Sequence, residues 1–248
     1  MKKIIAIWAI LFLTLTASQV FGNTISFGDN SIYWSGWSSG NATKDSTDVW
    51  GTPNFLGGSA EITNGYLTNL TFNVTNTLDL WSVLKPADLF IDANNDKVWD
   101  YVVNLITADT SGNLVSVSGD NKLYAVNQPL DGSGYLMSYV SGFDVRNNHP
   151  VGYELGTAIQ NSSVNFYNWP SSLGVGQTAN PYFNFGATDI LLGSEFAIGW
   201  TVNCANDVIY ETMNNPVPEP ASMLLLGSGL IGLAGFGRRK FGKAVVER

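Results

Sequence analysis

From Asn23 onward, apolar and polar residues alternate in short runs, interrupted about every ten residues by clusters of Gly, Asn, Asp and Ser. A period of two puts successive side chains on opposite faces of a strand, so the pattern predicts an all-β domain: an antiparallel, jelly-roll-like β-sandwich. Ile25–Phe27 opens the first strand, followed by the aromatic run Tyr33–Trp37 and a polar loop through Thr47. Trp50–Pro53 reads as a turn. Between Ala60 and Leu80, Leu70, Phe72 and Val74 share one face and Asn69, Thr71 and Asn73 the other, so one side packs and the other is wet. Asp88–Asp92 and Val98–Ile106 are the next two strands, joined by a tight polar connection. Leu114–Val117 and Lys122–Val126 read as a hairpin across Ser118–Asn121. Further strands are predicted at Tyr135–Val140, Gly152–Leu155, Val164–Tyr167 and Tyr182–Phe185.

The clearest strand is Phe196–Cys204. Phe196, Ile198, Trp200, Val202 and Cys204 lie on one side, and Ala197, Gly199, Thr201 and Asn203 on the other, which predicts a central, core-facing position. No stretch of this region keeps a 3.6-residue apolar period over a useful length, so any helix in it should be a turn or two.

The two ends differ in kind from the middle. Met1-Lys2-Lys3, the apolar run Ile4–Leu15 and the small-residue site Val20-Phe21-Gly22 predict a signal peptide over residues 1–22. An uncleaved N-terminal anchor is the alternative, because no strong helix breaker follows the apolar run. At the other end, Val217-Pro218-Glu219-Pro220 is a proline-stiffened strut presenting one carboxylate. The uncharged run Ala221–Phe236 follows, about 24 Å long as a helix, a short transmembrane segment suited to a thin bilayer. Arg238, Arg239 and Lys240, with Lys243, are the basic stop that keeps the C-terminus cytoplasmic. The chain thus divides into a signal peptide (1–22), one acidic β domain (23–213) and a C-terminal signal (214–243).

This order of motif, apolar helix and basic cluster at the very end of a chain resembles the PEP-CTERM sorting signal. The resemblance covers roughly the last thirty residues. It implies that exosortase, a membrane-embedded transpeptidase-like enzyme of Gram-negative bacteria, recognises Pro218, Glu219 and Pro220 and removes the helix. The export machinery and the inner membrane are then earlier partners, and the destination is the cell surface or an exopolysaccharide matrix. Asp88–Asp92, Trp99–Val102 and Asn203–Ile209 are more loosely similar to segments of other exported proteins bearing such a tail.

Charge narrows the partners. Between Asn23 and Pro218 there are five cations against eighteen carboxylates, a net charge of −13. A surface of that sign repels nucleic acid and anionic lipid and accommodates divalent cations. Cys204 is the only cysteine, so no disulfide closes within the chain, and stability must come from packing or metal.

Candidate chemistry is sparse. Asp92, Asn94, Asp96 and Asp100 place oxygens at positions 1, 3, 5 and 9 of a loop, the alternation with which calcium loops wrap a hard cation. Lys97 stands where such a loop has glycine, and Val103 where an EF-hand has its glutamate. The alternative is a hairpin whose Asp and Asn serve turn geometry, and a distant carboxylate such as Asp88 would have to complete a calcium shell. Cys204, in phase with the apolar face of its strand, reads as a buried thiol, and His149, the only histidine, as an exposed turn residue. Trp34, Trp37, Trp50 and Trp169 lie in or beside loops and leave stacking on sugar rings open. The sequence therefore points to a non-catalytic exported protein, with glycan binding open. The competing class is a secreted carbohydrate-active hydrolase with paired carboxylates, Glu154 and Glu195 being the least surface-like.

Overall fold

The computed structural model describes residues 22–216, apart from 38–39, 41, 43–45, 50, 79, 118–120, 139–144, 156–158 and 187–188, and Gly229 beyond them. The chain divides into two compact units, residues 1–216 and 217–248. Fifteen strands are described in the first: β1 Gly22–Phe27, β2 Asn54–Thr63, β3 Tyr66–Thr75, β4 Leu89–Asp92, β5 Val98–Asn104, β6 Ile106–Ala108, β7 Leu114–Ser116, β8 Asn121–Pro129, β9 Tyr135–Met137, β10 Pro150–Tyr153, β11 Ile159–Tyr167, β12 Thr178–Ala179, β13 Tyr182–Asn184, β14 Glu195–Thr201 and β15 Val208–Asn214. Within this unit the described helix content is one 3-10 turn, Trp81–Val83. The domain is all-β, as the alternation predicts.

One antiparallel sheet runs β1-β2-β3-β13-β11-β8-β5-β4-β14-β15, with β12 paired to β3, and curls until it is nearly closed into a barrel-like sandwich. The hairpins β6–β7 and β9–β10 stand apart from it. The Asn64-Gly65 turn starts the curl: both residues take positive φ, 54° and 85°, the twist that a two-residue hairpin turn needs between β2 and β3. Leu70, Phe72 and Val74 on β3 are buried, whereas Asn69, Thr71 and Asn73 are only half-buried on the outer face.

The main core lies inside the curl. Trp200 of β14 is its hub, with ring centroids 4.4 Å from Phe72, 5.2 Å from Phe55 and 5.4 Å from Phe183. A second core covers the opposite face of β4, β5, β14 and β15, built from Trp34, Phe90, Trp99, Val102, Ile106, Tyr135, Val151 and Val208. These central strands are thus buried on both faces, which is why Phe196–Cys204 is apolar or small at every step up to Thr201. Gly199 belongs to this arrangement by necessity: a Cβ there would lie 2.9 Å from atoms of both Trp34 and Trp99.

Two expectations need correction. Leu114–Ser116 and the strand after Ser118–Asn121 do not form a hairpin. β7 pairs with β6 across a turn in which Asp109 Oδ1 accepts the amides of Ser111 (2.8 Å) and Asn113 (2.9 Å), whereas β8 pairs with β5 and β11. Trp34 and Trp37, expected to be available for stacking on sugars, are instead buried and close the second core.

Candidate functional site

β4 delivers Asp92 to the start of the predicted calcium loop, and β5 carries Asp100 out of it. Asp92 Oδ1 accepts the amides of Asn94 (3.3 Å) and Asp96 (3.2 Å), and its Oδ2 accepts that of Lys97 (2.9 Å). Asn94 Oδ1 accepts from Asp96 N at 3.0 Å, Asp96 Oδ1 from Val98 N at 3.0 Å, and Asp100 Oδ2 from Ala93 N at 2.7 Å. Asn95 and Lys97 take the left-handed conformation, φ 59° and 72°. Lys97 therefore adopts the backbone that a calcium loop gives to glycine, while its Nζ donates to Asn95 Oδ1 at 2.6 Å. Burial, and then the charges of Asp92 and Asp96, raise the Asp100 carboxyl above its ordinary range against the Ala93 amide. Both oxygens of Asp92, Asn94 Oδ1, Asp96 Oδ1 and Asp100 Oδ2 thus each accept backbone amides of the loop.

Asp88, at the other end of β4, does not join them. It is fully buried, and its Oδ1 accepts the amides of Leu105 (2.6 Å) and Ile106 (2.9 Å), its Oδ2 that of Tyr153 (3.0 Å), with Asn104 Nδ2 at 3.3 Å. Burial pushes this carboxyl up to about 7, against the pull of those donors. One side chain thereby fastens β4 to the β5–β6 corner and to β10.

His149 is buried, contrary to its polar surroundings in sequence. Its ring meets Trp34 edge-on at 4.9 Å, Nδ1 lies 2.9 Å from the Pro150 carbonyl, and burial pulls the imidazole down to about 3. Cys204 is buried as its phase predicts. Its Sγ donates to the Thr52 carbonyl at 3.7 Å, and burial pushes the thiol up to about 12. Thiol and imidazole make no hydrogen bond with each other.

The proposed sugar-stacking tryptophans are placed differently from expectation. Trp34 and Trp37 are buried, Trp169 is half-buried and stacked on Trp81 at 4.8 Å, and Trp50 lies outside the described residues. An exposed ring occurs instead on the outer sheet face, where Tyr167 of β11 lies 5.0 Å from the half-buried Tyr182 of β13, its cross-strand partner. Glu154 and Glu195, expected to be the least surface-like glutamates, are both exposed.

A group not anticipated from the sequence lies elsewhere. Asp29 follows β1, Asp48 precedes β2, and Asp207 sits in the β14–β15 turn, and one carboxylate oxygen from each falls within 4.8 Å of the others. Asp207 is fully buried and aimed by two amides, Phe55 N to Oδ2 at 2.6 Å and Val208 N to Oδ1 at 2.8 Å. Asp29 has both oxygens closed off from solvent with no hydrogen-bond donor. Burial first, and then neighbouring carboxylates, raise both acids above their ordinary range, while Arg146 opposes this. Arg146 is itself buried and donates to the carbonyls of Ile32, Thr47 (2.6 Å) and Asp48 (2.9 Å). Three aspartates so far apart in the chain leave no spacing to read. Asp207, within the Asn203–Ile209 segment already singled out, was the only one carrying a signal.

Val217, Pro218, Glu219 and Pro220, the stop cluster Arg238, Arg239 and Lys240, the predicted transmembrane helix and residues 1–21 of the signal peptide lie outside the described residues. Among the described residues no helix is long and apolar enough to cross a membrane. Residues 216–240 match the family model of the PEP-CTERM protein-sorting motif. The chain thus carries that motif near its C-terminus, which implies export, transient membrane anchoring and processing by exosortase. Neither a curated protein nor a solved structure matches the chain.

Proposed function

We propose that this exosortase-directed chain is a non-catalytic protein of the cell surface or extracellular matrix, whose acidic β domain is the delivered cargo. The observation that carries the reading is where the fold ends relative to the sorting motif. β15 stops at Asn214, and Asn215 is clasped to the preceding loop by its amide to Ser194 O (2.8 Å) and its Nδ2 to Gly193 O (3.0 Å). The matched motif begins at residue 216. The last described strand and its clasp end before the motif, so cleavage beyond Pro216 would cost the domain none of these contacts. Replacing Pro218, Glu219 and Pro220 together by alanine in an exosortase-bearing host should leave the protein cell-associated and full-length. Export at unchanged size and yield would sink the reading.

Two finer elements belong to it. The outer face of β1, β2, β3, β13 and β11 carries, in register, Ser26, Ser59, Thr71, Tyr182 and Tyr167, and beside them Thr24, Glu61, Asn69, Asn184 and Asn165. A field of hydroxyls and amides edged by paired tyrosine rings suits contact with a polysaccharide, and Y167A/Y182A should lower retention on the host's exopolysaccharide without changing the melting temperature. Calcium at Asp92, Asn94, Asp96 and Asp100 would stiffen the β4–β5 turn, since a carboxylate oxygen holding one amide keeps a second lone pair.

A further inference from the structure

We propose that Asp29, Asp48 and Asp207 form a binding site for a hard divalent cation, calcium above all, tying the segment after β1, the loop before β2 and the β14–β15 turn together. Folding brings one oxygen from each of three remote acids within 4.8 Å of the others. Three ionised carboxylates this close repel one another, and Arg146 offsets this only in part, which leaves room for a bound cation between them. The Asp29 carboxylate points to that ligand: both oxygens are buried and accept no hydrogen bond, whereas buried carboxylates ordinarily find donors.

Asp207 is held in place by the Phe55 and Val208 amides, and each of its oxygens retains a lone pair for a metal. The exposed Asp48 gives the site an opening to solvent. Arg146 grips the carbonyls of Thr47 and Asp48 and so fixes the backbone that presents the third ligand. An all-oxygen, three-carboxylate set selects hard cations over zinc or copper, and it suits calcium better than magnesium, which keeps most of its water. Backbone carbonyls and water would supply the rest of a calcium shell. This site is distinct from the β4–β5 loop and independent of how the tail is processed.

The test uses the full chain in mild detergent, stripped with a chelator, then given calcium chloride or magnesium chloride and followed by thermal unfolding and elemental analysis. Calcium at about a hundred times its Kd should raise the melting temperature by roughly 5 to 10 °C. Because the β4–β5 loop is the other candidate calcium site, D96N serves as the background: it should keep a shift and one equivalent of retained calcium, and D48N, whose side chain is exposed, or D29N added to it should lose both. Should D29N fail to fold, D48N decides. A shift that survives in D48N/D96N, or its loss in D96N alone, overturns the proposal. So does the absence of bound metal and of any shift with either salt, in which case the three acids share protons instead.

Discussion

Trp200 on β14 and Phe72 on β3 meet with ring centroids 4.4 Å apart, although their strands are separated by five others along the path of the sheet. That contact is where the curled sheet closes on itself. The indole Nε1 of Trp200 also donates to Ala87 O at 2.9 Å. W200A should therefore cost about 3 to 5 kcal/mol through the cavity it leaves, and W200F less, about 1 to 3 kcal/mol for the unpaired Ala87 carbonyl. Urea midpoints of the two variants check the order.

The other face of the same strand makes the opposite demand. A methyl group at residue 199 would press on Trp34 and Trp99, each 2.9 Å away, and both rings are fully buried. G199A should destabilise by about 1 to 3 kcal/mol, the ordinary cost of overpacking. Trimming the ring it meets should give some of this back. In a double-mutant cycle, G199A/W99F should be less destabilised than the sum of the single changes. Additivity would mean that the backbone, not the tryptophan, absorbs the methyl group.

Asp88 is a structural clamp. Three backbone amides and Asn104 depend on one carboxylate, and a fully buried donor without an acceptor is expensive. D88A should cost about 3 kcal/mol or more, and D88N less, because one oxygen remains. The loss should appear as a lower urea midpoint with an unchanged slope, since the surface exposed on unfolding is the same.

Period-two alternation made β3 and β14 legible, faces included, because on these strands the apolar phase coincides with the main core. The hairpin at Ser118–Asn121 was misread because turn residues occur both there and at Asp109–Asn113. Local chemistry does not choose between them. The choice falls to β8, which is claimed by β5 and β11, partners remote in sequence. His149 read as an exposed turn residue because it follows the polar run Arg146–Asn148, and burying that guanidinium requires carbonyls brought from Ile32, Thr47 and Asp48, which no neighbour in sequence announces. The Asp29, Asp48 and Asp207 cluster was hidden for the same reason. The β4–β5 loop was visible because its oxygens are consecutive in the chain.

Asp88 and His149 should give the domain opposing pH dependences. His149 is held neutral with its pKa lowered to about 3 by burial, with the Arg146 charge acting in the same sense, so the unfolded chain, titrating near 6.5, binds the extra proton between those values. Its contribution is complete above pH 6.5 and is lost as pH falls toward 3. Asp88 behaves the other way: its carboxyl is raised from 3.8 to about 7, so the folded state binds the extra proton, and its contribution is complete below 3.8 and lost as pH rises through 7. Each slope can reach about 1.4 kcal/mol per pH unit. From pH 4 to 6.5 they offset each other in the wild-type chain. H149Q should therefore lose stability with rising pH across this window relative to wild type, and D88N should lose it with falling pH. The difference curves cancel every group the variants share, the aspartate cluster included. Urea unfolding at half-unit pH steps reads them directly, and parallel curves for either variant and wild type would show that the residue keeps its unfolded-state pKa in the fold.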